Sequence, residues 1–168
     1  MDDVKFHNEA GNYAIYSVYG SRSDELLKAL GGTPLPQRSH NLMTLSGVEE
    51  VRVLADSGLK DGGYTFIVPI AHAQTLWQAI VAFGATVLTP ADWEDERVRQ
   101  GRPAADHEIT EEYNPLEVGL WDAVSFAKGC YIGQEIVARL DTYQKLKQQL
   151  WGLRLTAPVS VGTPITHE

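Results

Sequence analysis

Residues 13–32, Tyr13-Ala14-Ile15-Tyr16-Ser17-Val18-Tyr19-Gly20-Ser21-Arg22-Ser23-Asp24-Glu25-Leu26-Leu27-Lys28-Ala29-Leu30-Gly31-Gly32, hold a change of period that decides the fold class. Tyr13 to Val18 is rich in aromatic and β-branched residues and reads as a strand. Tyr19-Gly20-Ser21 then opens a helix whose apolar stripe is Leu26, Leu27 and Leu30. Ser21, with Asp24 three residues on, approximates a capping box. Gly31-Gly32 closes the helix, because glycine accepts the left-handed backbone that a helix end needs.

Working outward, the same signals recur. Val4 to His7 reads as a short strand, set off by the turn cluster Glu9-Ala10-Gly11-Asn12. Leu42 to Leu45, Val51 to Ala55 and Tyr64 to Val68 read as three more strands, with Asp61-Gly62-Gly63 as a turn before the last. Residues 71–83 carry Ala73, Leu76, Trp77, Ile80 and Phe83 at helical spacing, and Gly84 stops them. Thr89-Pro90-Ala91-Asp92 is a helix start, with Thr89 as cap and Pro90 in the first turn. That helix runs to about Gln100 and stops at Gly101. Residues 101–120 have two prolines and little apolar periodicity, so they read as a long irregular connection of the kind that often carries function. A helix is expected over 133–143, with Ile136, Val137, Leu140 and Tyr143 inward. Gln149 to Leu155 reads as a strand with Trp151, Leu153 and Leu155 on one face. Pro158 to Pro164 is a loop, and Ile165 begins another strand. Short strands mixed with a few helices make an α+β protein, and their order fits split βαβ units of the ferredoxin type.

Composition narrows the function classes. The chain has 168 residues, a net charge of -8, 43% hydrophobic and 21% charged residues, which is ordinary globular material. One cysteine excludes an intrachain disulfide and a cysteine-based zinc site. No apolar run approaches ~18 residues, so no membrane span is expected. Met1-Asp2-Asp3-Val4-Lys5 lacks the basic and apolar regions of a signal peptide, and the expected location is the cytoplasm or an equivalent reducing compartment. Direct nucleic-acid binding is not expected of so acidic a chain. The charge is uneven: residues 1–120 hold 18 Asp+Glu against 9 Lys+Arg, a net of -9, and residues 121–168 hold 4 against 5, a net of +1. The last third is the more suitable place for an anionic ligand or nucleophile.

Within it lies Lys128-Gly129-Cys130-Tyr131-Ile132-Gly133-Gln134-Glu135. Two glycines bracket the thiol just before a helix and permit positive φ and close approach to a ligand. The helix N-terminus and the Lys128 ammonium both favour a thiolate at Cys130. The residues alone leave open a second role, a small buried hydrophobe. None of the five histidines stands at a spacing that makes a Cys-His protease pair.

This octapeptide resembles the signature of the YgfZ-type folate-binding proteins, relatives of the glycine-cleavage T-protein, aminomethyltransferase. Upstream, Asn114-Pro115-Leu116-Glu117-Val118-Gly119-Leu120-Trp121 looks like the family's P-x-E-A-G-L segment, and Arg97 to Pro103 sits where the family has an R-x-E-A-G-x-P-like turn. The Q-G-R-P, N-P-L-E and A-R-L-D-T-Y versions are similar to the branch of cyanobacteria and plastids. The likeness runs from about Tyr13 to Leu155 and is dense over 97–154.

The resemblance implies a three-lobed, folate-cradling α+β ring with a small C-terminal β-barrel. Residues 1–147 would belong to the folate-binding fold, without the N-terminal part that supplies half of the cradle, and 148–168 would be the first strands of a truncated barrel. It also implies tetrahydrofolate as cofactor, with Cys130 and Lys128 in the reactive role and Tyr131, Gly133, Gln134, Glu135, Glu117 and Arg99 as the cofactor-facing set. Arg99 departs from the family's glutamate. A guanidinium has only donors, so it cannot accept from a pterin's amino-pyrimidine edge.

The function implied is a YgfZ-like accessory to iron–sulfur enzyme assembly or repair, with those enzymes as partners. The alternatives are an aminomethyltransferase passing a one-carbon unit to tetrahydrofolate, and an inert folate-fold binding module. Folate binding by these 168 residues alone is expected to be weak. Self-association through the exposed barrel strands is also expected.

Overall fold

The computed structural model describes residues 3–142 and 146–166. It is an α+β structure of four strands and four helices: β1 Tyr13–Tyr19, α1 Ser23–Ala29, β2 His40–Leu45, β3 Val48–Leu54, β4 Gly63–Pro69, α2 Ala73–Ala82, α3 Pro90–Arg99 and α4 Gln134–Thr142. Single 3₁₀ turns precede α2 at Ile70–His72 and follow the irregular stretch at Trp121–Ala123. The chain divides into two compact units, residues 1–96 and 97–168, and α3 spans the boundary in sequence.

The first unit is built on one sheet, in the order β1-β4-β3-β2. Every pairing is antiparallel. Ser46 and Gly47 join β2 to β3, both with positive φ, 49° and 79°, as a two-residue hairpin of the I′ kind requires. Glu50, also at positive φ, sits where the register slips between Met43 and Leu45. The eight-residue link 55–62 returns β4 alongside β3, and β1 closes the sheet against β4 from Tyr13 opposite Pro69 to Tyr19 opposite Gly63.

The ferredoxin-like split βαβ arrangement is not what these residues form. A split βαβ unit needs the two strands joined by the helix to run parallel with a third strand between them, whereas β1 and β2, joined by α1, lie at opposite edges of the all-antiparallel sheet and run antiparallel. Three expected strands are also absent among the described residues. Val4–His7 has no ladder partner, and Phe6 is almost wholly exposed. Gln149–Leu155 and the stretch from Ile165 form no strand among the described residues, so the barrel does not appear.

One face of the sheet carries the core. Tyr64, Phe66 and Val68 of β4 and Val51 and Val53 of β3 are buried against Leu26, Leu27 and Leu30 of the α1 region and Leu76 and Ile80 of α2. Each large side chain so buried contributes about 1.5–3 kcal/mol. Ala14, Tyr16 and Val18 of β1 pack at the border of this cluster. Tyr16 meets the Trp77 ring at 5.3 Å and donates its hydroxyl to the Ala73 carbonyl.

The α1 capping box at Ser21 is not formed. Arg22 holds the cap position without a side-chain bond to the helix backbone, and Asp24 accepts the Tyr64 hydroxyl at 2.6 Å. The helix start at Thr89 is formed as read, and the structure adds a reciprocal cap: Asp92 Oδ2 accepts from the Thr89 amide and hydroxyl, and Thr89 Oγ1 accepts from the Asp92 amide.

Candidate functional site

The second unit contains every residue that the sequence singles out for chemistry. Its first feature was missed in the sequence. Arg97, on the last turns of α3, is 3% exposed. Its Nη1 donates to Glu108 Oε2 at 2.9 Å and to the Arg102 carbonyl at 3.1 Å. The same Glu108 oxygen accepts the Ala104 amide. Burial pushes the Glu108 carboxyl up, but the Ala104 N–H and the Arg97 guanidinium outweigh it, and the group lies below the usual glutamate range. Arg97 thus ties the end of α3 to the irregular chain after it. The signal in the sequence was weak, because Glu108 is one of several carboxylates in a stretch with no periodicity.

The next feature is Asn114 to Leu120, a self-contained turn. Asn114 Oδ1 accepts the Leu116 amide and Glu117 Oε2 accepts the Asn114 amide at 2.9 Å. The Leu120 amide reaches the Pro115 carbonyl, and Gly119 takes a φ of 79°. Leu116 and Val118 are buried. Glu117 is therefore a capping carboxylate with one oxygen engaged by backbone. Its own carbonyl accepts the Leu150 amide at 2.8 Å, a tie to the C-terminal segment.

The thiol loop follows. Cys130 is exposed. Lys128 Nζ lies 4.5 Å from the centre of the Tyr131 ring, a cation–π contact. The Tyr131 amide donates to Gln134 Oε1 at 3.1 Å, while the Gln134 amide donates to the Tyr131 carbonyl. Between them Gly133 adopts a φ of 90°, which is strained for any other L residue. This reciprocal turn launches α4. The structure thus brings Lys128 and Gln134 together on Tyr131, the residue that follows Cys130.

Glu135 does not join them. It is exposed and lies 3.9 Å from Arg139, one turn along α4. Arg99 is exposed at the end of α3. On α4, Ile136 is exposed and Val137 and Leu140 are half-buried, so the helix has no buried residue. Tyr143 lies outside the described residues. Trp151, Leu153 and Leu155 are all exposed.

These features define an α+β protein that presents an exposed thiol on a glycine-bracketed loop, with Lys128 seated on the Tyr131 ring. No family model matches the sequence. Among curated proteins, a chloroplastic Arabidopsis thaliana protein that carries a provisional transferase name is 35% identical over 168 residues, covering 98% of this chain and 39% of that protein. The aminomethyltransferase of Caldanaerobacter subterraneus subsp. tengcongensis is 29% identical over 160 residues, covering 90% of this chain and 42% of the relative. That of Symbiobacterium thermophilum is 27% identical over 187 residues, covering 100% of this chain and 49% of the relative. These relatives support the aminomethyltransferase superfamily and do not single out the YgfZ branch. The chain spans less than half the length of each. Among the described residues, no helix is long and apolar enough to cross a membrane.

Proposed function

We propose that this chain is part of a tetrahydrofolate-linked protein of the YgfZ type and that Cys130 is its reactive group. One observation carries the reading: Cys130 is exposed on a loop in which Lys128 lies over the Tyr131 ring and Tyr131 and Gln134 close a reciprocal turn. A thiol kept only for packing would be buried, as most free cysteines are. Lys128 holds positive charge at the loop, and Tyr131 and Gln134 position it. Iron–sulfur enzymes are the proposed clients, and a reducing compartment, whether cytoplasm or plastid stroma, suits a free thiol.

The residues assigned to the folate do not make a complete pterin site. Glu117 has one oxygen on the Asn114 amide, Gln134 has its oxygen on the Tyr131 amide, and Arg99 offers donors only. Binding by residues 1–168 is expected to be weak or absent, with the cradle shared with other segments of a longer protein. Residues 1–147 remain the proposed folate-fold region and 148–168 the proposed opening of a barrel, a reading supported by the exposed Trp151, Leu153 and Leu155.

Two experiments test this. Calorimetry with a reduced folate should show no binding at micromolar concentration, and tight binding would mean that the site is complete here. In cells lacking the full-length protein, iron–sulfur enzyme activity should fall and be restored by the wild type but not by Cys130→Ser. Equal rescue by Cys130→Ser would end the thiol reading. It would favour instead a one-carbon transfer to tetrahydrofolate that needs no thiol, which the names of the bacterial relatives support.

A further inference from the structure

We draw no further inference here: the strongest candidate, the open β1 edge of the sheet with the groove of about 610 Å³ beside it, lined by Trp77, Phe83, Val87, Leu88 and Trp93, carries nothing because nothing in the structure shows what covers it.

Discussion

Gly63 opens β4 at a φ of 139° opposite Tyr19, and a Cβ there would stand 2.1 Å from the Val18 carbonyl oxygen and 2.7 Å from the Tyr19 Cα. Both obstacles are backbone and cannot rotate away. Gly63→Ala should therefore lower stability by about 3 kcal/mol in urea titration. A loss below about 1 kcal/mol would show that β1 and β4 adjust more freely than their register indicates. The next residue carries an alkaline pH dependence. Burial first, and then the hydrogen bond to Asp24, push the Tyr64 phenol up from 10.0 to about 12. The neutral form is favoured in the folded chain, so the stabilisation is complete below pH 10 and is lost as pH rises from 10 to about 12. Tyr64→Phe should flatten the stability curve across that window, and an unchanged alkaline slope would contradict the assignment. The Gly63 turn was legible in Asp61-Gly62-Gly63. The Tyr64–Asp24 bond was not, because its partners are forty residues apart and nothing local marks them.

Three helix ends share one device. After α1, α2 and α3, the glycines Gly31, Gly84 and Gly101 take positive φ and donate to the carbonyls of Lys28, Val81 and Val98. The following amides of Gly32, Ala85 and Arg102 reach back to Leu27, Ile80 and Arg97. This is the Schellman arrangement, and each glycine was a readable stop in the sequence. Starts were less readable. The Thr89-Asp92 box forms because both partners are local and exposed, whereas the Ser21-Asp24 box loses Asp24 to Tyr64. Hydrogen bonds from the Thr89 side chain and then its backbone amide hold the Asp92 carboxyl below its ordinary value. The cap is thus present above the usual carboxylate range and is lost as pH falls through the lowered value. Amide exchange in the first turn of α3, corrected for intrinsic rates, should quicken on that acid limb. Thr89→Ala should remove the dependence; if it persists, the cap is not its source.

At the scale of the molecule, the first unit holds the fourteen-residue buried cluster, while the described elements around the thiol loop bury little beyond Arg97, Leu116 and Val118. Sequence periodicity located the strands and helices of the core. It could not give the strand order, because the β1–β4 pairing joins residues about fifty apart and periodicity reports only faces. The exposed stretch 146–166 shows the reverse failure: Trp151, Leu153 and Leu155 alternate as a strand does, but alternation without a paired neighbour makes no ladder. The thiol loop was legible because its chemistry is local. Glycines, lysine and cysteine lie within six residues, and the structure adds the part that spacing could not show, the seating of Lys128 on Tyr131. That the seated Lys128 makes Cys130 a reactive group is checked by the alkylation rate of Cys130 at neutral pH in the native and urea-unfolded chain, for the wild type and for Lys128→Ala. Faster alkylation is expected in the native wild type, with most of that excess lost in Lys128→Ala. A native rate equal to or below the unfolded rate, or an excess untouched by Lys128→Ala, would contradict it.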